Sequence, residues 1–205
     1  MADQETTPPS LFTTLRSESN AAGLAKRSEE AKKWFTERVR ELNGRINRNA
    51  LLRDEALKVK KTPQWGFMYM YVYDPKTKDD LPYYDRFPLI IMTEPAPGGF
   101  YGLNLHYLHP KVRALFLDKL LSTVKGKEID ERTRLRTRYE ILARAKKFRE
   151  FAPCFKHYLF DHVKSRIAQV PGTEWDIAIF LPTEHFKGAS KTKVWAESKK
   201  QYLSR

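Results

Sequence analysis

The strongest constraint on the fold of this chain is a dense block of aromatic, proline and glycine residues between positions 65 and 110. At its start, aromatic rings occupy every second position, and small or aliphatic residues fill the positions between. The aromatic set is Trp65, Phe67, Tyr69, Tyr71 and Tyr73. A period of two is typical of a β-strand, and because both faces are apolar, we expect both to be covered.

Two further strands are indicated within the same block. Residues 87–93 and 100–107 are rich in β-branched, aromatic and other apolar side chains, and residues 74–80 and 95–99 are turn sequences. A sheet of so few strands needs helices against it. The sequence therefore predicts an α+β fold: a small antiparallel β-module at about 65–107, packed by several helices, with extended helical termini.

Helical patterns lie on both sides of the block. Residues 29–60 carry one apolar stripe, interrupted by Gly44, which predicts a helix that bends or splits. The stripe consists of Phe35, Val39, Leu42, Ile46, Ala50 and Leu57. Helices are also expected from Pro110 to about 126, from about 130, from Pro153, and over 190–204. The periodicity of residues 173–182 does not decide between helix and strand.

A length of 205 residues suits one domain with extensions. We expect a flexible N-terminal arm at 1–20, an amphipathic helical extension at 21–62, an α+β core at 63–188 and a basic C-terminal helical tail at 189–205. No run approaches the roughly 20 apolar residues of a membrane span, and the N-terminus is acidic and polar. The expectation is a soluble, unprocessed protein without a membrane partner.

The charge of the chain favours a polyanionic partner. It has 38 Lys and Arg against 25 Asp and Glu, a net charge of +13. Nucleic acid or an acidic protein surface would match this excess. The best candidates for phosphate contacts are the basic residues of one predicted helix: Arg132, Arg134, Arg136, Arg138, Arg144, Lys146 and Lys147. A solvated helix face or an ion-paired subunit interface explains the same pattern equally well.

Large aromatic residues supply the candidate protein contacts. The selected anchors are Trp34, Phe35, Trp65, Tyr69, Phe100, Tyr107 and Trp195. Alternating aromatics form a packed core or an interface more often than a platform for stacked bases, although base stacking remains an alternative.

The sequence gives little support for a catalytic or metal-binding site. The sequence has no phosphate-cradling glycine loop, nucleophile elbow or zinc-protease motif, and its single cysteine, Cys154, excludes an intramolecular disulfide. His106 and His109 could share a metal with Asp85 or Asp118, but structural histidines are commoner. A nuclease would need converging acids from Asp74, Asp79, Asp80, Asp85 and Glu94, mostly turn residues. We expect no metal and no cofactor.

Three strings resemble a family of small virion proteins from contractile-tailed phages, the myoviruses. They are YDPKTKDDLPYYDRFPLIIM, GGFYGLNLHYLHPKVRALFLDKLL and EWDIAIFLPTEHFK, followed by a basic tail that contains a tryptophan. The resemblance covers about residues 65–200 and leaves out the first 60. Some members carry names for a DNA-end-protecting or completion role, and others are called structural.

The resemblance implies a non-enzymatic structural subunit of a tailed-phage virion, in the tail, baseplate or head-to-tail (neck) region, assembled in the host cytoplasm. Its partners would be other virion subunits in a symmetric hetero-oligomeric assembly, and packaged DNA. The alternative is a DNA-binding completion or DNA-end-protecting virion protein that contacts phosphates without sequence preference. A metal-dependent nuclease is the third and weakest interpretation.

Overall fold

The structure is a computed structural model that describes residues 10–122, 140 and 149–203. Its centre is a six-stranded antiparallel sheet with the strand order β1-β7-β2-β4-β5-β6, beside a two-stranded ribbon, β3-β8. The strands are β1 (Lys58–Lys60), β2 (Met68–Met70), β3 (Tyr84–Asp85), β4 (Leu89–Ala96), β5 (Gly99–Asn104), β6 (Phe155–Leu159), β7 (Ile167–Val170) and β8 (Phe186–Lys187). The predicted α+β class is confirmed.

α-Helices pack against this sheet. Those described are α1 (Leu11–Ala21), α2 (Glu29–Glu41), α3 (Arg48–Leu51), α4 (Pro110–Ser122), α5 (Trp175–Ala178) and α6 (Lys191–Leu203). In the described part of the chain, no helix is long and apolar enough to span a membrane.

The two faces of the sheet differ as the alternation predicts. Met68 and Met70 belong to a large cluster that also takes side chains from α1, α2, α4, α5 and α6. Tyr69, Tyr71 and Tyr73 belong to a second cluster on the other face. Rings of this second cluster meet edge to face, for example Tyr73 and Tyr158 at 4.9 Å between centroids. Such contacts add to the stabilisation from area burial alone.

Strand pairing beyond the aromatic block was not predicted. β4 and β5 form the expected hairpin around Pro97 and Gly98, but β6 and β7, from residues 155–170, complete the sheet. The expected helix from Pro153 is wrong, because its residues pair as a strand with β5, with Tyr158 opposite Phe100. Helical spacing in a short apolar segment is a weak signal. Backbone pairing with the otherwise open edge of β5 stabilises the strand instead.

The predicted long helix over 29–60 is split into three elements. α2 begins at its N-cap Ser28, whose hydroxyl accepts from the Ala31 amide, and it ends at Glu41. Gly44 adopts a φ of 76°, in the left-handed region that favours glycine, and so breaks the helix. α3 follows as a single turn, and residues 58–60 become β1, paired with β7.

Both termini pack on the core within the described residues. Phe12 and Leu15 of α1 are buried, so residues 11–20 are a docked helix and not the flexible arm that the sequence indicated. α6 confirms the predicted C-terminal helix and buries Val194. The undecided segment around Trp175 is the short helix α5.

Candidate nucleic-acid interface

Strand alternation divides the YYDR string between the interior and the surface. In the β3–β8 ribbon, Asp85 lies opposite Phe186 and Tyr84 lies opposite Lys187. Side chains of successive strand residues point to opposite faces, so Asp85 and Phe186 point inward. Tyr84, Arg86, His185 and Lys187 share the outer face; the pairing continues through Arg86, whose amide donates to the His185 carbonyl at 2.8 Å. Arg86 and Lys187 are exposed.

Asp85 anchors the ribbon from within. Its Oδ2 lies 2.7 Å from Nδ1 of His106 and accepts from the Asn104 amide at 3.1 Å. Its Oδ1 accepts from the backbone amides of Phe87 and His185. Burial opposes ionisation of Asp85, but His106 and these hydrogen bonds prevail and lower its pKa. The buried carboxylate therefore fixes the backbone on both sides of Arg86 and at His185 itself.

A second acidic side chain next to the ribbon is also directed inward. Glu184 accepts a hydrogen bond from the buried guanidinium of Arg113, which also donates to the carbonyls of Leu108 and Ile179. Burial opposes ionisation of Glu184, yet Arg113 lowers its pKa. Asp85 and Glu184 thus pair with interior groups, and their negative charges do not face the surface that Arg86 and His185 form.

A groove of about 270 Å³ lies over this part of the ribbon, and we call it the cationic groove. Its lining residues are Asn47, Arg48, Asn49, Val72, Arg86, Phe87 and His185. Arg48 is held there by hydrogen bonds from Nε to the Thr183 carbonyl and from Nη2 to the Glu184 carbonyl, both 2.8 Å. None of the described lining residues is acidic.

The electrostatics of the groove favour an anion. Burial lowers the pKa of His185, and the nearby charges of Arg48 and Lys187 lower it further. The amide of Tyr73 donates to the Arg86 carbonyl, and the next residue, Asp74, pairs with Lys78 at 3.1 Å. Arginine guanidinium groups match phosphate oxygens with two parallel N–H donors, and asparagine amides add neutral donors. Such a groove can bind phosphate groups.

A larger groove, of about 500 Å³, lies between α2 and α4 but is a weaker candidate. Lys33, Arg40 and Lys111 line it together with Glu29 and Glu37, so its charges partly cancel. Lys32, also in this groove, is bonded to Glu29 and Asp118. Mixed charge of this kind suits solvent or protein better than a polyanion.

The aromatic anchors chosen from the sequence are mostly core residues. Phe35, Tyr69, Phe100 and Tyr107 are each no more than 5% exposed, so they pack inside this chain and present no surface to a partner. This corrects their assignment to an interface, because all four residues belong to the two hydrophobic clusters of the core.

The three tryptophans among the selected anchors have different surroundings. Trp195 is half-buried and docks on its own core: its Nε1 donates to the His106 carbonyl at 2.8 Å, and its ring lies near His109 and Arg113. Trp34 is half-buried against Phe35. Trp65 is 51% exposed and stays a predicted interface residue.

The predicted basic helix lies outside the described residues, and with it the seven residues selected there: Arg132, Arg134, Arg136, Arg138, Arg144, Lys146 and Lys147. Asp85 and His106, weighed as metal ligands, do meet, but they bond to each other in the interior. His109 lies against Trp195, and Asp118 binds Lys32. Over the described ranges, no group of three or more His, Cys, Asp or Glu side chains converges on a metal position.

Sequence reasoning missed most of the cationic groove. Arg86 lies in the YYDR string. If this string had been predicted as a strand, the side chains of Asp85 and Arg86 would have been assigned to opposite faces. Arg48 and His185 carried no local signal, because they are 137 positions apart and meet only through the fold.

Comparison with known proteins identifies the family. Residues 9–202 match the family described as phage T4 terminal DNA protecting protein. The match includes most of the N-terminal 60 residues, which the resemblance seen in the sequence had left out. No curated protein and no solved structure matches significantly. Because the match spans nearly the whole sequence, the chain belongs to the phage T4 terminal DNA protecting protein family.

Proposed function

We propose that this chain is a non-enzymatic virion protein that binds the ends of linear phage DNA through phosphate groups and shields them from exonucleases. The observation that carries the proposal is the family match over residues 9–202. The net charge of +13 agrees with binding to a polyanion. Its partners would be packaged DNA and neighbouring virion subunits.

This proposal replaces the first interpretation of the sequence. A tail, baseplate or neck subunit was the leading expectation, and an end-protecting protein was the alternative. The family description supports the alternative and offers nothing for the tail, baseplate or neck. A nuclease is not proposed, since the Asp85–His106 pair is buried and, among the described residues, no metal-binding group forms.

The cationic groove supplies a surface for the proposed contact. Arg86 and Lys187 are exposed, Arg48 is fixed by two carbonyls, and the neighbouring acids Asp85 and Glu184 are turned inward. Contacts of guanidinium and ammonium groups with phosphates carry no sequence information, so binding should be independent of base sequence.

The test is protection of linear duplex DNA from an exonuclease, with binding measured across a salt series. We expect linear DNA to be protected and the logarithm of the binding constant to fall linearly with the logarithm of the salt concentration. Closed circular DNA of the same sequence is the control for end binding. Equal affinity for the two forms, or rapid digestion of saturated linear DNA, would contradict the proposal.

Matched variants separate the groove from the general charge of the protein. Arg86→Gln, in the groove, should reduce the salt slope by about 0.9, the value for one lost phosphate contact. Arg40→Gln removes the same charge from an exposed position on α2, outside the groove, and should leave the slope nearly unchanged.

A further inference from the structure

The cationic groove concentrates more positive charge than one backbone phosphate requires. Arg48, from α3, and Arg86, directly after β3, bring two positive charges to one volume of about 270 Å³, and His185, directly before β8, lines the same volume as an imidazole whose lowered pKa favours the neutral form. Lys187 lies on the same ribbon face, and its charge acts on His185. A phosphodiester carries one negative charge, whereas a terminal phosphate monoester carries about 1.5 to 2 at neutral pH.

The groove also offers more hydrogen-bond donors than the two free oxygens of a phosphodiester can accept. Arg48 donates from Nε and from one Nη2 hydrogen to backbone carbonyls. Within the described residues, its Nη1 group has no hydrogen-bond partner. The side chain of Arg86 likewise has no hydrogen-bond partner in the described part of the chain, and the two asparagines add amide donors. A monoester offers three terminal oxygens, one more than the two free oxygens of a diester.

The apolar part of the groove lining agrees with an end group. Val72 and Phe87 form an apolar part of its lining, beside the cationic side chains. A phosphate within a duplex continues into sugar on both sides, whereas a terminal phosphate continues into sugar on one side only. The adjoining sugar of the last nucleotide would then lie against the apolar part.

We infer that the cationic groove binds a terminal phosphate monoester of DNA, so that the protein recognises the chemical end of a strand as well as its backbone. This rests on the proposed function, since it names the group that the same surface takes. The 5′ and 3′ monoesters share this chemistry, and the experiment separates them.

The experiment compares short blunt duplexes of one sequence that carry a 5′-phosphate, a 3′-phosphate or only hydroxyl groups at their ends. We expect one phosphorylated duplex to bind about tenfold more tightly than the hydroxyl duplex, the effect of one or two charge-assisted hydrogen bonds. Inorganic phosphate, added as a competitor, should remove this advantage and leave the affinity of the hydroxyl duplex nearly unchanged.

Variants assign the preference to the groove. Arg86→Gln and Lys187→Gln should each reduce the preference severalfold, and Arg40→Gln should keep it. Arg86 lines the groove, and Lys187 lies beside it on the same face of the ribbon. Both positions are exposed, so folding is preserved, which a thermal unfolding curve checks.

Each outcome has a separate meaning. Equal affinity for phosphorylated and hydroxyl ends would overturn the inference and leave the proposed function standing. A preference that survives both Arg86→Gln and Lys187→Gln would place the phosphate elsewhere and also overturn the inference. Failure to bind any linear duplex at low salt would overturn the proposed function itself.

Discussion

Oδ2 of Asp85 lies 2.7 Å from Nδ1 of His106, and both side chains are buried. On its other side, the His106 ring meets the Thr183 hydroxyl, 3.2 Å from Nε2. The pair thus connects β3 with the turn after β5 and with the segment before β8. Because these segments carry Arg86 and His185, the buried pair positions the cationic groove without touching a ligand.

Asp85→Asn should destabilise the protein by about 3 kcal/mol, the range for breaking a buried pair on one side. The new amide would also place a donor against one of the groups that now donate to the carboxylate. Urea unfolding measures the loss. Asp79→Asn, an exposed turn position, is the control and should change the free energy of unfolding by less than about 0.5 kcal/mol. Equal effects of the two variants would contradict a structural role for Asp85.

Acid should destabilise the fold through Asp85 and Glu184. Both pKa values are lowered in the folded protein, so both carboxyl groups contribute stability above their unfolded pKa values of about 4. That contribution is lost as the pH falls from about 4 through the lower folded values, where the unfolded state binds more protons. Unfolding free energies measured from neutral to acidic pH test this. The Asp85→Asn variant should show a shallower decline.

Gly188→Ala should destabilise the β3–β8 ribbon. Gly188 has a φ of 86°, and an added Cβ would lie 2.5 Å from the Pro82 carbonyl oxygen. We expect a loss of about 2 kcal/mol from backbone strain and the clash. Gly172→Ala is the control, since a Cβ there meets nothing within 4 Å and φ lies outside the left-handed region. Thermal unfolding of both variants gives the comparison, and equal stability would refute the prediction.

Trp195→Phe should loosen the C-terminal helix from the core. The substitution keeps an aromatic ring but removes the 2.8 Å hydrogen bond from Nε1 to the His106 carbonyl. The expected cost is about 1 kcal/mol. Limited proteolysis after residue 189 should be faster in the variant than in the parent protein. Unchanged stability and unchanged cleavage would show that the docking does not depend on this bond.

Cys154 should resist alkylation in the folded protein. Its thiol is buried, and burial raises its pKa to about 12, so little thiolate forms at neutral pH. We expect slow reaction with iodoacetamide in buffer and rapid reaction in denaturant. Mass spectrometry follows the modification, and fast labelling of the native protein would contradict the buried position.

Part of the fold was predictable because its signal is local. The alternation of Tyr69, Met70 and Tyr71 assigns their side chains to two faces, and the sequence between positions 95 and 99 turns the chain into the β4–β5 hairpin. The capping serine and apolar spacing of α2 likewise lie within a few residues of each other. Such patterns indicate the type of secondary structure and the face on which each side chain lies, and they are visible in consecutive residues.

The candidate site was largely unpredictable for the same reason. Nothing near Arg48 indicates that its guanidinium will bond carbonyls 135 and 136 residues away. The apolar spacing after Pro153 suggested a helix, and only the edge of β5 made it a strand.

The order of the amino acids is enough to give the α+β class, the two-faced aromatic strand, the basic character of the chain and the family to which it belongs. The folded chain was needed to show which aromatic residues are core, that Asp85 and Glu184 point inward, and that Arg48, Arg86 and His185 share one groove. Periodicity and net charge are properties of neighbouring residues or of their sum. The convergence of distant side chains depends on strand pairing and packing, which local sequence does not encode.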